Sequence, residues 1–296
     1  MASWQAHALD MLMRVQVKRR IRSVTDTKQA RHILETIPLS TPAGVTFTTG
    51  EAGGVAGEWT EVPGAAGART LLYLHGGGYF ACSPKTHRPV TAAYAKRGFR
   101  VFTPDYRLAP EHPFPAAVED ARAAWDGLVA LGHPAHKLVV SGESAGGGLT
   151  MALLLDLRDA GQPLPAAAAL FSPWTDLANT GGSVLSNVGR EAMLWGPGLT
   201  LAAQAYLNGA DPKTPLASPH YGDLTGLPPL LIHVGSREVL LDDGRRLAER
   251  ARAAGVRVEL RVWPVVTHAW QLAAFVPEAR ESMRLASEFL TKALLF

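Results

Sequence analysis

The chain alternates short, largely apolar runs with amphipathic helical stretches, and this pattern constrains its fold more than any other feature. Leu71–Leu74 comes first and runs into a glycine cluster. Arg100–Thr103, Leu138–Val140, Ala166–Phe171, Leu230–Val234 and Val258–Val262 follow. Between them the spacing predicts helices over about 86–97, 116–131, 145–160 and 242–254, with a last helix over about 278–295. Such runs suit strands buried on both faces, so the pattern predicts an α/β chain with a mostly parallel central sheet flanked by helices. Reactive groups in these sheets gather just beyond the carboxyl ends of the strands.

Three regions lie outside the alternation. Residues 1–40 read as helical, with Pro38 and Pro42 as the stop, and strand-like runs follow at Val45–Thr48 and Trp59–Val62. Residues 183–226 carry a helix-like segment around Leu199–Leu207 flanked by Gly and Pro. The expectation is one domain over 1–296, with a small helical cap built from about 1–40 and about 183–226. Packing of these pieces against the side of the sheet is the alternative.

Composition narrows the class. The single cysteine, Cys82, rules out an intramolecular disulfide and fits a reducing compartment. A net charge of +3 is too mild to imply a nucleic-acid partner. The run Lys18-Arg19-Arg20, with Arg22 nearby, reads as the solvated face of an N-terminal helix. Met11, Leu12, Val15 and Ile21 leave a membrane-surface role as the lesser reading. The first residues interrupt any apolar core with His7 and Asp10, so no secretory leader is expected, and no stretch is long enough for stable membrane insertion. A cytoplasmic location is the resulting expectation.

The chemistry centres on Gly142-Glu143-Ser144-Ala145-Gly146, directly after one predicted strand and directly before a helix. Gly-x-Ser-x-Gly alone is weak in a chain with 29 glycines. In a strand–turn–helix setting it marks a nucleophile on a strained turn, with glycines where side chains would clash. His75-Gly76-Gly77-Gly78 also ends a strand. A glycine loop there lets backbone N–H groups approach a developing oxyanion, and the Ala145 N–H supplies another donor. His75 reads as support for that loop. The scattered histidines lack metal-ligand spacing, so neither metal nor other cofactor is expected.

These motifs, with Asp105-Tyr106-Arg107-Leu108-Ala109-Pro110-Glu111-His112-Pro113-Phe114-Pro115-Ala116 between them, resemble the bacterial hormone-sensitive-lipase-like carboxylesterases. The resemblance spans residue 70 to the C-terminus. It implies an α/β-hydrolase fold, a two-part helical cap and cofactor-free hydrolysis of short- to medium-chain acyl esters through an acyl-enzyme. It also implies Gly77, Gly78 and Ala145 as oxyanion donors, and the Asp105–Pro115 stretch as scaffolding for the glycine loop. The partner implied is a small-molecule ester. A homodimer through the strand near Val258–Val262 and the last helix is compatible with the family.

The triad order in such hydrolases is serine, acid, histidine. His233 lies inside a predicted strand and reads as a core histidine, and His220 sits in the cap-proximal loop. His268 follows the last strand at the carboxyl edge, where the family has its base. Ala269 stands where the family usually has glycine. Three acids compete on the loop after Leu230–Val234: Glu238, Asp242 and Asp243. The family alignment favours Glu238, and the other two fall where helix capping is expected. Asp242 stays open as the alternative acid. Tyr79, Phe80, Trp174, Trp195 and Tyr206 are candidates for the pocket wall, and Cys82 is either reactive or a small core residue. The rival readings are a ligand-binding relative without catalysis, as in a plant hormone receptor whose site lost its histidine, and amide or thioester hydrolysis on the same fold.

Overall fold

The computed structural model of the chain describes residues 2–24, 26–36, 41–65 and 69–295. The expected Pro38 stop lies outside them. An N-terminal helix α1 (Trp4–Met13) runs on through a π-helical stretch (Arg14–Lys18) into the short α2 (Arg19–Ile21), and α3 (Thr27–Glu35) follows. The hairpin β1 (Thr46–Ala52) and β2 (Val55–Glu61) comes next. The alternating part then reads β3 (Arg69–Leu74), α4 (Arg88–Ala95), β4 (Phe99–Pro104), α5 (Ala116–Ala130), β5 (Leu138–Glu143), α6 (Ala145–Asp159) and β6 (Ala168–Phe171). After α7 (Ser183–Ser186) and α8 (Gly196–Leu207), the chain closes with β7 (Leu230–Gly235), α9 (Leu241–Ala253), β8 (Val258–Trp263) and α10 (Pro277–Ala293). No helix among the described residues is long and apolar enough to cross a membrane.

The strands form one sheet in the order β1-β2-β4-β3-β5-β6-β7-β8. From β4 to β8 every pairing is parallel, and only β1 and β2 join antiparallel. The α/β-hydrolase expectation of a mostly parallel sheet therefore holds. Side-chain alternation splits the core into two layers. Leu72, Leu74 and Val140 point to α5 and α6, where Ala121, Ala124 and Leu153 wait. Leu71, Tyr73 and Val139 point the other way, to Val90 and Tyr94 of α4 and Met283, Ala286 and Leu290 of α10.

The register decides where chemistry can occur. β3 and β5 are neighbours, with Leu74 opposite Gly142. Their parallel run brings the loops after both strands to the same edge, side by side. β1 and β8 are the two edge strands of this sheet.

The N-terminal segment is tied to the body. The Ser3 N–H and hydroxyl donate to Glu278 at the start of α10, at 2.6 and 2.7 Å. Ala6 and Leu9 pack against Val266, Trp270 and Ala279. Lys18 departs from its expected place on a solvated face. Its side chain is buried and its ammonium donates to the Val188 and Glu191 carbonyls at 2.5 and 2.6 Å, whereas Arg19 and Arg20 are exposed. A charge run on a helix spans more than one face, so its members meet different surroundings.

The turn between β1 and β2 packs on α5 through a backbone-to-backbone contact that only glycine permits. A Cβ on Gly127 would stand 1.9 Å from the Gly53 nitrogen. Gly127→Ala should therefore destabilise the fold by about 1–3 kcal/mol, the usual cost of overpacking. Thermal melting of the variant against the parent checks this, with a fall of a few degrees expected.

Candidate active site

Ser144 owes its position to two close approaches. β5 delivers the chain to Glu143, and α6 starts at Ala145, so Ser144 must turn the chain within one residue. It does so at φ 57°, ψ −122°, a conformation costing about 1–3 kcal/mol for a residue with a Cβ. The Ser144 N–H donates to the Phe171 carbonyl at 2.8 Å, and the Trp174 N–H donates to the Ser144 carbonyl at 2.9 Å. These two bonds hold the turn against relaxation. Glycine is required on both sides of it. A Cβ on Gly142 would meet the Gly146 carbonyl oxygen at 2.2 Å, and one on Gly146 would meet the Leu74 carbonyl oxygen at 2.0 Å.

His268, on the loop after β8, reaches this turn. Its Nε2 lies 2.8 Å from Ser144 Oγ, and its Nδ1 lies 2.7 Å from Glu238 Oε2. Glu238 is fully buried, and its other oxygen accepts from the Ser172 hydroxyl at 2.7 Å and the Gly235 N–H at 2.5 Å. With every oxygen engaged, the carboxylate has one orientation. The imidazole then places Nδ1–H toward the acid and leaves Nε2 to take the serine hydroxyl proton.

The other two acids of this loop are used elsewhere. Asp242 accepts the Ser183 N–H at 2.8 Å, while the Ser183 hydroxyl accepts the Asp242 N–H at 2.9 Å. Asp243 accepts the Thr175 and Asp176 N–H groups at 2.8 and 3.0 Å. The capping expectation is thus corrected. Both sit in the first turn of α9, but their carboxylates satisfy the backbone of α7 and of the loop after β6. The remaining histidines stay apart from the serine. His233 Nδ1 is 2.8 Å from Ser282 Oγ, and burial holds its pKa down at about 3. His220 Nε2 faces Arg246.

The glycine loop after β3 turns through Gly77 at φ 117° and Gly78 at φ 62°. No backbone acceptor among the described residues takes the N–H of Gly77, Gly78 or Ala145. The loop rests on Tyr106, whose hydroxyl donates to the His75 carbonyl at 2.7 Å and whose ring stacks on the His75 imidazole at 4.2 Å. The Ala109 N–H donates to the Tyr79 carbonyl at 2.8 Å. Two residues of the 105–115 stretch, Tyr106 and Ala109, thus bond to the loop and its continuation.

Above Ser144 lies a cavity of about 360 Å³. Ile21, Val24 and Leu34 line it from the N-terminal segment, and Leu194, Trp195 and Ala202 from the 183–226 region. Of the five aromatic candidates, Phe80, Trp174 and Trp195 line it. Tyr79 and Tyr206 instead stack on each other at 3.8 Å in the core. Cys82 also lines the cavity, and burial pushes its thiol up to about 12, which favours the protonated form at neutral pH.

A family model for the alpha/beta hydrolase fold matches residues 71–272. The acetyl-hydrolase of Streptomyces hygroscopicus is 47% identical over 257 residues, covering 86% of this chain and 85% of that protein. The chain belongs to the α/β-hydrolase family, in its hormone-sensitive-lipase-like branch. The carboxylesterase NlhH of Mycobacterium tuberculosis is 37% identical over 76% of this chain and 73% of its own. The crystal structure of the esterase EstE5 superposes with a TM-score of 0.95 at 37% identity, covering both chains fully. An esterase from the bacterial hormone-sensitive lipase family superposes with a TM-score of 0.90 at 41% identity over 99% of this chain and all of that one. Membership of this esterase branch makes the chain an ester hydrolase.

Two residues of the site, Ser172 and Glu143, carried no clear signal in the sequence, and a third, Ala269, stood out only as a departure from the resembled family. Ser172, at φ 45°, orients Glu238 from the end of β6. Glu143, the variable residue of the nucleophile motif, faces both His268 and His87 at 3.2 Å. Ala269 adopts φ 57° although it carries a Cβ. The loop therefore keeps the left-handed shape at a cost of about 1–2 kcal/mol for an L-residue. Ala269→Gly should leave stability unchanged or slightly raised, whereas Ala269→Val should lower it, since a β-branched residue is a severe outlier there. Melting temperatures of the two variants test the ranking.

Proposed function

We propose that the chain is a serine carboxylesterase hydrolysing short- to medium-chain acyl esters through Ser144, His268 and Glu238, with an acyl-enzyme intermediate. The observation that carries this reading is the continuous chain of contacts Ser144 Oγ–His268 Nε2 and His268 Nδ1–Glu238 Oε2, at 2.8 and 2.7 Å. In this mechanism His268 takes the Ser144 proton as Oγ attacks the ester carbonyl. The free N–H groups of Gly77, Gly78 and Ala145 receive the oxyanion. His268 then protonates the departing alcohol oxygen, and water repeats the sequence to release the acid.

The cavity size and its apolar wall support a short to medium acyl chain. Relatives named acetyl-hydrolase and carboxylesterase support the ester class. We read residues of about 1–40 and 183–226 as a cap, supported by their shared contribution to the cavity wall. Small-molecule esters are the partners this reading requires.

Ser144→Ala should abolish hydrolysis of p-nitrophenyl butyrate while leaving the melting curve in place. Glu238→Gln should lower kcat by ~10³-fold or more, as loss of the orienting acid does in other triads. Asp242→Asn should cost far less activity. Steady-state kinetics of the three variants is the check, and the reverse ranking of the two acid variants would transfer the acid role to Asp242.

A further inference from the structure

Glu143 has no part in the cycle above, yet its placement is specific. It is 3% exposed, and its side chain lies beneath the glycine loop. A Cβ on Gly76 would stand 2.1 Å from its Oε2, so the first glycine of that loop is what makes room for it. Oε1 lies 3.2 Å from His268 Nε2, the same nitrogen that faces Ser144 Oγ at 2.8 Å. Oε2 lies 3.2 Å from His87 Nε2. In the tautomer with its proton on Nε2, the buried His87 donates to Glu143 Oε2, and its Nδ1, 2.9 Å from Thr86 Oγ1, accepts the hydroxyl.

The sign of the contact with His268 follows from elementary electrostatics. A carboxylate oxygen and the lone pair of a neutral Nε2 repel each other at this distance. The same oxygen attracts Nε2 once that nitrogen carries a proton. The contact therefore distinguishes the two states of the ring, and the favoured state is the one formed during Ser144 attack.

We propose that Glu143 is a positioning residue that stabilises protonated His268 from the Nε2 side, while Glu238 holds the ring from the Nδ1 side and His87 anchors Glu143. The proposal rests on the Ser144–His268 reading of the site. In the step concerned, the Ser144 Oγ–carbon bond forms and the carbonyl electron pair moves to oxygen. The hydroxyl proton passes to Nε2. The carbon–alkoxy bond then breaks and that proton leaves on the alcohol. Glu143 neither gives nor takes a proton.

The other groups around this cluster sharpen the case. The ring of His268 meets Glu238 from the loop after β7 and Glu143 from β5. Glu191 stands behind Glu238, accepting the Val239 N–H at 3.1 Å. The Arg237 guanidinium is turned away toward Asp10, at 3.8 Å. Around Glu143, burial keeps Tyr73, Tyr106 and Cys82 protonated and His75 neutral. Burial alone would lower the His268 pKa, but the two carboxylates outweigh it and raise it above 6.5. Since the base must be neutral to accept the serine proton, activity is lost as pH falls through that raised value. Removing one negative charge lowers the value, so the acid limb moves to lower pH.

The test is the pH dependence of kcat/KM for p-nitrophenyl butyrate in the wild type and in Glu143→Gln, Glu143→Asp and His87→Asn. Glu143→Gln should shift the acid limb down by about one unit or more. Its plateau kcat should fall about tenfold, with KM little changed. Glu143→Asp, which keeps the charge, should retain a limb closer to wild type. His87→Asn should shift it in the same direction as Gln but less, and carries the test if the Gln variant does not fold. Limbs that superimpose on wild type in both Glu143→Gln and His87→Asn overturn the proposal, as do equal shifts for Gln and Asp. Absence of ester turnover in the wild type, or turnover retained by Ser144→Ala, would instead refute the underlying site reading.

Discussion

The strained turn at Ser144 is the constraint on which the other features of the site depend. It exists because β5 and α6 meet with no linker, and because Gly146 lies against the Leu74 carbonyl. That contact joins the turn to β3, whose own end starts the glycine loop. One register, Leu74 opposite Gly142, therefore sets the distance between Ser144 and the glycine loop. The start of α6 adds the positive end of a helix at the same point. A shift of one residue in that pairing would turn every side chain of β5 to the other layer, so the two-sided core of the sheet also protects the geometry of the site.

Burial explains why Glu238 is so fully bonded. A buried carboxylate without partners is costly, and Glu238 avoids this through Ser172, Gly235 and His268. Each partner comes from a different strand end: β6, β7 and the loop after β8. The acid thus cross-links three loops as well as orienting the imidazole. Asp243 and Asp242 do the same one turn further on, joining α9 to the loop after β6 and to α7. Buried carboxylates thus tie several loops of the carboxyl edge together, Asp242 and Asp243 through backbone N–H groups.

Much of this was legible in the sequence because it depends on short-range patterning. Apolar runs located six strands of the parallel region to within a few residues, and the motif around Ser144 located the turn. His268 was legible from its place after the last strand. Features that depend on long-range contacts were not. Lys18 reads as solvated until Val188 and Glu191 are brought to it, and Asp242 and Asp243 read as caps until α7 is placed. Tyr79 and Tyr206 lie 127 positions apart and pair only in three dimensions. Glu143 sits at a motif position with no residue preference of its own, and its meaning comes from His87 and Gly76, both remote in sequence.

The most direct test of the account is mass spectrometry of the protein after treatment with a p-nitrophenyl alkylphosphonate ester, which reacts with a serine activated as the site requires. One adduct per chain on Ser144 is expected, absent in Ser144→Ala and strongly slowed in His268→Ala. An adduct on another residue, or modification of Ser144 at an unchanged rate in His268→Ala, would contradict it.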